Sequence, residues 1–156
     1  MKLKNNAGTQ PPVPGAESEQ VSRGLLGWLN QYGSFPARIR MIDFEYLKDD
    51  IPCMALSTIQ GAYKVRQYIT GGYLAQYQFK LTYRAQPQDN NDRLKMDEVL
   101  NTLGDWASSR EDKPDIGDGL TVKSISRDTP SAYFGRYEGG DEDHQILMTM
   151  KYERMK

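Results

Sequence analysis

The chain has 156 residues, with 20 basic and 21 acidic side chains and a formal net charge of -1. This length is enough for one domain with a sizeable core. The balanced charge excludes a global field that would draw the protein to nucleic acid. The one cysteine, Cys53, excludes a disulfide within the chain, which fits a reducing compartment, and we expect it to be a small buried residue. No apolar run approaches the length of a membrane helix, and no apolar segment follows the basic N-terminus, so we expect neither a membrane span nor a secretory signal.

The N-terminal segment is polar and rich in proline and glycine. Residues 1–16 cannot bury enough apolar surface to offset the cost of ordering, so we expect a flexible tail, with a docking arm as the alternative. Residues 17–156 are expected to form a single α+β domain. A helix should begin near Glu17–Ser18, with Ser18 as its N-cap, and stop at Gly33. Its apolar stripe is Val21, Leu25, Trp28, Leu29 and Tyr32.

Two glycines lie inside this helix. Gly24 and Gly27 lower its helix propensity slightly and could allow close approach to the sheet. After the helix, the apolar residues of 38–47 alternate with one change of phase, which indicates a strand with a bulge or a change of face. The mostly apolar run 51–59 predicts a further strand with Pro52 at its start or on an edge; a short apolar segment under the helix is the alternative.

The clearest pattern in the chain is the run 73–85. Side chains on a strand alternate between its faces, so strict alternation predicts a long strand with one buried and one solvated face. The polar positions are the even ones. The apolar positions are Tyr73, Ala75, Tyr77, Phe79, Leu81, Tyr83 and Ala85.

The preceding run, 63–69, is expected to form a hairpin with this strand. A two-residue loop would mix apolar and polar faces. A three-residue loop over 70–72 instead pairs Ile69 with Tyr73 and keeps the apolar side chains together. Such a loop needs a residue with positive φ, which glycine supplies.

This register places four basic side chains on the polar face, together with glutamines and a threonine and without an acid. They are Lys64, Arg66, Lys80 and Arg84. The ordinary interpretation is a solvated sheet face. The alternative is a surface that meets a polyanion or an acidic neighbour.

The second half of the chain predicts another helix and more strands. Asn90, Asn91 or Asp92 can cap a helix whose apolar stripe runs from Leu94 to Ala107. Strands are predicted at 120–126 and 146–152, and the glycine-rich stretch 131–140 is a flap or a hairpin arm. Two amphipathic helices and a sheet with one apolar face predict a two-layer α+β fold, with both helices packed on one face of a mainly antiparallel sheet.

Motifs for catalysis and metal binding are absent from the sequence. The single histidine, His144, follows the acidic run 141–143, which we interpret as a solvated loop because cation-binding loops space their ligands around a glycine bend. With one His and one Cys, neither a Cys/His metal site nor a nucleophilic triad is expected. No phosphate-loop, dinucleotide-binding or Gly-x-Ser-x-Gly motif occurs. We therefore expect no enzyme, cofactor or metal. The ten tyrosines favour assembly, because tyrosine is enriched at interfaces.

Over residues 21–152 the chain resembles the minor capsid, or tail-terminator, family of tailed bacteriophages. The resemblance lies in the order of the elements and in short runs of residues. These runs are Val-Ser-Arg-Gly-Leu-Leu-Gly-Trp-Leu-Asn in the first helix, Asp-Ile-Pro-Cys-Met-Ala-Leu before the hairpin, Tyr-Ile-Thr-Gly-Gly at its turn, Tyr-Gln-Phe-Lys-Leu in the long strand, Leu-Asn-Thr-Leu-Gly-Asp-Trp in the second helix, and the closing strand that ends at Tyr152.

The resemblance implies a structural virion protein of the neck. Its copies would form a ring, expected to be hexameric, that caps the tail tube and joins it to the head. The implied partners are other copies of the chain, the tail tube protein and a head-completion or connector protein, with DNA passing through the lumen without sequence-specific binding. The implied location is the head–tail junction of the virion, after assembly in the cytoplasm of the bacterial host.

The family carries no catalytic motif to transfer to this chain. We hypothesise that Lys64, Arg66, Lys80 and Arg84 face the lumen or a subunit boundary. Charge reversal at Lys64 and Arg66 that leaves ring formation and infectivity intact would reject this hypothesis.

The alternative function is a nucleic-acid-binding module that uses the same basic face with Tyr68. It predicts salt-dependent DNA binding by the isolated protein. The near-neutral total charge argues against it. A small enzyme is a weaker alternative, because the sequence lacks a titratable constellation.

Overall fold

A computed structural model of the chain describes residues 14–47, 50–60 and 64–155. In these ranges the chain forms two helices and seven strands, so the predicted α+β class is confirmed. Most of the predicted tail, residues 1–13, lies outside the described residues, and the first helix begins two residues before Glu17. The elements are α1 (Gly15–Leu29), β1 (Ile42–Phe44), β2 (Cys53–Thr58), β3 (Lys64–Gln67), β4 (Tyr73–Ala85), α2 (Asn90–Ser109), β5 (Leu120–Arg127), β6 (Ala132–Arg136) and β7 (Glu142–Arg154).

Two antiparallel strands of 13 residues each, β4 and β7, form the centre of the sheet. Each pairs with two shorter strands along the side that does not face the other long strand. β2 and β3 pair with β4, whereas β5 and β6 pair with β7, all antiparallel. β1 lies beyond β2 and runs parallel to it, which gives the order β1-β2-β4-β7-β5. One lateral edge of the sheet is therefore formed by β1 and β3, and the other by β5 and β6.

Both helices pack on the face of the sheet that the alternation in β4 predicts to be buried. All odd-numbered residues from Tyr73 to Tyr83 are buried, as are the even-numbered residues of β7 from Ile146 to Tyr152. The five residues of the predicted stripe are buried in the same core, although α1 ends at Leu29, before Tyr32 and the predicted stop at Gly33. Trp28 of α1 meets Trp106 of α2 with ring centroids 5.1 Å apart. The apolar periodicities thus place the two layers correctly.

The helix starts differ from the predicted caps. Pro14 precedes α1 and no side chain caps it, so Ser18 lies inside the helix. Asp89, one residue before the predicted candidates, caps α2 by accepting a hydrogen bond of 2.9 Å from the Asp92 backbone N–H. Cys53 is buried, as expected.

The predicted register of the β3–β4 hairpin is wrong. Gln67, and not Ile69, lies opposite Tyr73, and the loop spans 68–72 with Gly71 at φ 100°. The Gln67 side chain donates to the Gly72 carbonyl at 3.0 Å, which closes the longer loop. Ile69 is fully exposed at the tip, so pairing apolar side chains within the hairpin does not decide the register there.

The two glycines of α1 have different surroundings. A Cβ added to Gly24 would lie 2.5 Å from the Asp115 carbonyl oxygen and 2.9 Å from the Ile116 Cα, whereas one added to Gly27 meets nothing within 4 Å. The close approach at Gly24 is therefore to the loop before β5 and not to the sheet.

This contrast predicts opposite effects of the same substitution. Gly24→Ala should lower the free energy of unfolding by about 1–3 kcal/mol, because the clash is with backbone that cannot easily move. Gly27→Ala should raise it by up to about 1 kcal/mol through helix propensity. Urea denaturation of the two variants beside the wild type measures both values. Equal effects of the two substitutions would contradict the close approach at Gly24.

Candidate assembly interface

The four basic residues singled out in the sequence do not share one face. A bulge between Lys64 and Arg66 places Lys64 opposite Ala75 on the helix-covered face, where its Nζ lies 4.4 Å from the centroid of the Tyr73 ring. Arg66 pairs with Leu74 on the outer face, which is the face of the sheet that the helices do not cover. The expectation that the four cations form one surface is therefore wrong for Lys64.

The outer face is also not free of acids, because β7 contributes one. Asp143 lies opposite Arg84, and its two carboxylate oxygens accept hydrogen bonds from Arg84 Nε at 2.7 Å and Nη2 at 2.9 Å. This bidentate pair raises the pKa of Arg84 above its ordinary value. The Tyr137 hydroxyl donates to the same carboxylate at 2.8 Å. The charge of Arg84 is thus balanced within the chain.

Lys80 is the remaining member of the predicted set. It projects from the outer face of β4, and its Nζ lies 5.3 Å from the centroid of the Phe134 ring on β6. Of the four residues, Arg66 and Lys80 thus keep outer-face positions outside the Arg84–Asp143 pair. Arg66 lies opposite Leu74 near the hairpin turn, whereas Lys80 lies six residues further along β4, opposite Ser57 of β2, so the two do not form one cluster.

The acidic run 141–143 is not the solvated loop expected from the sequence. Glu142 and Asp143 begin β7 and are 1% and 3% exposed. Glu142 accepts hydrogen bonds from Arg93 Nε at 3.1 and 2.9 Å. The Arg93 guanidinium holds the pKa of this carboxyl below its ordinary value. Glu142 therefore joins α2 to the sheet, and Asp143 links the two central strands β7 and β4.

A polar cluster around His144 lacks the geometry of a nucleophilic triad. The Ser131 hydroxyl donates to Asp97 Oδ1 at 2.8 Å, and His144 Nδ1 lies 2.7 Å from the same oxygen. A triad requires the serine hydroxyl on the imidazole, whereas here both groups contact the carboxylate. The other ring nitrogen lies 3.4 Å from Glu142 Oε1. The histidine is 2% exposed, and the arrangement is that of a buried structural network.

A second buried acid, Glu17, lies in the first turn of α1. Its carboxylate accepts hydrogen bonds from the hydroxyls of Tyr73 and Tyr152 and from Arg154 Nε. Burial, together with the adjacent carboxylate, raises the pKa of Tyr73 to about 12. From the sequence, Glu17 marked only the expected start of the helix. Its buried role had no local signal, because its partners are more than 50 residues away.

Two lateral edges of the sheet expose large apolar side chains. Together they carry six of the ten such side chains in the described part of the chain. The β1 edge exposes Met41, Phe44 and Tyr46, and the β6 edge exposes Tyr133, Phe134 and Tyr137, all between 41% and 66%. The rich aromatic content of the stretch 131–140 was the available signal for the second edge. Large contiguous apolar patches are typical of interaction surfaces, so the two edges are the candidates for assembly.

Neither helix in the described ranges is both long and apolar enough to cross a membrane. Among the same residues, no group of three or more His, Cys, Asp or Glu side chains is arranged to hold a metal ion.

Comparisons with known proteins do not assign the chain to a family. No family model matches the chain, and no curated protein matches it significantly. One solved structure, of a protein whose name states no function, is similar with a TM-score of 0.43 and 12% sequence identity, over 92% of this chain and 97% of the other. At this level the likeness carries no information about function.

Proposed function

We propose that this protein is a structural subunit of a tailed-bacteriophage virion, a tail terminator whose copies form a ring that caps the tail tube and joins it to the head. The observation that carries the proposal is the pair of exposed apolar edges on opposite sides of one sheet. Two different exposed apolar edges on one chain allow head-to-tail contacts between copies. Such contacts close into a ring when the rotation between neighbouring copies permits it.

Two further observations support an assembling subunit. The sequence resembles the tail-terminator family over residues 21–152. Four buried polar side chains of the described chain, Glu17, Glu142, Asp143 and His144, contact other side chains of the same chain and so stabilise the fold. They are accounted for without a substrate.

The geometry favours this proposal over the nucleic-acid-binding alternative. That alternative needs a continuous basic surface. Lys64 instead lies on the helix-covered face, and Arg84 is held in a bidentate pair with Asp143. The four basic side chains therefore do not form the continuous basic surface that nucleic-acid binding would need.

The proposal is tested by the native mass of the purified protein over a wide concentration range, alone and with isolated tail tubes, with the same samples imaged by negative stain. We expect closed rings of uniform subunit number, free in solution or on tube ends. A protein that neither forms rings nor binds tube ends contradicts the proposal. Binding of DNA that weakens steeply with salt would support the nucleic-acid alternative instead.

A further inference from the structure

One row of paired residues runs across the sheet from the β1 edge to the β6 edge. The register connects Ile42 of β1 to Met54, Tyr83, His144 and finally Tyr133 of β6. Residues directly opposite on neighbouring strands project to the same side, so Tyr133 lies on the helix-covered side of its edge. The strand directions also follow from the pairings: β1 and β6 run antiparallel to each other.

The β1 edge has a groove on its helix-covered side. The groove has a volume of about 510 Å³ and lies between α1 and the sheet, with Leu26 and Ser22 on the helix and Phe44 and Thr58 on the strands. This volume is in the range of pockets that hold small ligands. Its lining combines the apolar surface of Leu26 and Phe44 with hydroxyl groups and with the charged side chains of Glu19 and Arg23. A tyrosine suits such a lining, because it has an apolar ring and a hydroxyl that seeks a hydrogen bond.

The backbone of β1 is closed to the addition of another strand at its first residue. The Asn30 side chain donates to the Ile42 carbonyl at 3.1 Å and accepts from the Ile42 N–H at 2.7 Å. These bonds occupy the backbone N–H and carbonyl of Ile42, which point away from β2 and which a neighbouring strand would use. A partner at this edge therefore docks through side chains and not through a continued ladder.

We propose that the β6 edge of one copy docks on the β1 edge of the next, with Tyr133 inserted into the groove beside Phe44. On the outer side of the same contact, Phe134 meets Met41. This inference rests on the proposed function and names the interface of the ring. Each copy supplies one projecting edge and one receiving edge, so the contact is heterologous.

The apolar area fits the centre of such an interface. Aromatic side chains bury about 150–250 Å² each, so the three half-exposed rings of the β6 edge offer roughly 200–350 Å² of surface. A standard interface buries about 800 Å² per partner, with a central apolar cluster inside a polar rim. The rings supply that cluster, and exposed charges such as Arg136 are placed for the rim.

The test uses two full-length variants that each remove one edge. Tyr133→Asp removes the projecting edge, and Phe44→Asp removes the receiving edge. Both positions are about half exposed, so the fold should be retained, which circular dichroism and thermal unfolding check. Each variant alone should associate at least about 30-fold more weakly than the wild type, the loss typical of an interface hot spot. Ile69→Asp, the same change at a fully exposed tip, is the matched control and should associate normally.

Mixing the two variants gives the decisive result. The intact β6 edge of Phe44→Asp can dock on the intact groove of Tyr133→Asp, so the mixture should form 1:1 dimers that grow no further. Sedimentation velocity detects them. A mixture that stays monomeric, or single variants that still form rings, overturns the assigned interface. In either case, ring formation by the wild type leaves the proposed function standing. If Phe44→Asp lowers stability and leaves association unchanged, the groove is filled by the chain itself, and the inference also fails.

Discussion

Replacing Glu17 by alanine should lower the free energy of unfolding by about 3–5 kcal/mol, the usual effect of breaking a buried ion pair. The Glu17 carboxylate is 4% exposed. The Tyr73 hydroxyl donates to its two oxygens at 2.6 and 2.7 Å, the Tyr152 hydroxyl donates at 3.1 Å, and Arg154 Nε donates at 2.9 Å. Removing the acid leaves two hydroxyls and a guanidinium without their acceptor, and each lost partner carries a desolvation cost.

The matched control is Glu19→Ala, two residues along the same helix. The Glu19 side chain is 69% exposed and pairs with Arg23 one turn on at 3.2 Å. Exposed pairs of this kind contribute little, so the change should be within about 0.5 kcal/mol. Guanidinium denaturation followed by tryptophan fluorescence gives both values. Similar losses in the two variants would show that the effect comes from the helix terminus and not from the buried contacts.

Glu17 also shows what local sequence patterns can and cannot predict. The apolar stripe of α1 and the alternation of β4 predict which faces are buried, because burial follows the periods of helix and strand. An acid in a first helical turn looks like a partner for the helix dipole. Its burial depends on Tyr73 and Arg154, which lie 56 and 137 positions away along the chain. That juxtaposition is created by the β4–β7 pairing, which sequence periodicity does not specify.

The unknown strand pairing also explains why the predicted basic face is wrong. From β3 and β4 alone, the cations of the hairpin have no acidic neighbour. The long strand that pairs with β4 turned out to be β7, and it brings Asp143 opposite Arg84. The bulge in β3 then moves Lys64 to the other face. A bulge adds one residue to one strand, so every prediction of facing beyond it is reversed.

The candidate interface was accessible to sequence reasoning in part. The aromatic residues of 131–140 stood out in a polar, glycine-rich stretch, and a hairpin arm was one of the two interpretations. The groove at the β1 edge, which is the other half of the contact, has no signal in the sequence. Phe44 and Leu26 belong to different elements, and the groove between them exists only after α1 has packed beside β1. Apolar residues of a groove have the same periodicity as those of a core, so the pattern cannot separate them.

Glu142→Ala should also destabilise the protein strongly, by about 3 kcal/mol. Glu142 is 1% exposed and holds three groups from different elements. Arg93 of α2 forms the closest contact, His144 lies 3.4 Å from one oxygen, and Arg136 of β6 lies 3.9 Å from the other. Glu138→Ala, at an exposed position in the turn before β7, is the control and should change stability by less than about 0.5 kcal/mol. Urea denaturation at neutral pH compares the two, and equal losses would contradict a central role for Glu142.

The acid dependence of stability gives a second measure of the same contact. The hydrogen bonds from Arg93 lower the pKa of Glu142 in the folded protein, whereas in the unfolded chain it lies near the ordinary value of about 4.3. As the pH falls below that value, the unfolded chain binds a proton that the folded protein does not, so the free energy of unfolding decreases until the folded carboxyl is protonated as well. Glu142→Gln has no proton to bind there, so its stability curve should be flatter than that of the wild type below about pH 4.3, and Glu138→Gln should follow the wild type. A Glu142→Gln curve as steep as the wild-type curve would contradict this contribution of Glu142 and assign the acid sensitivity to other groups.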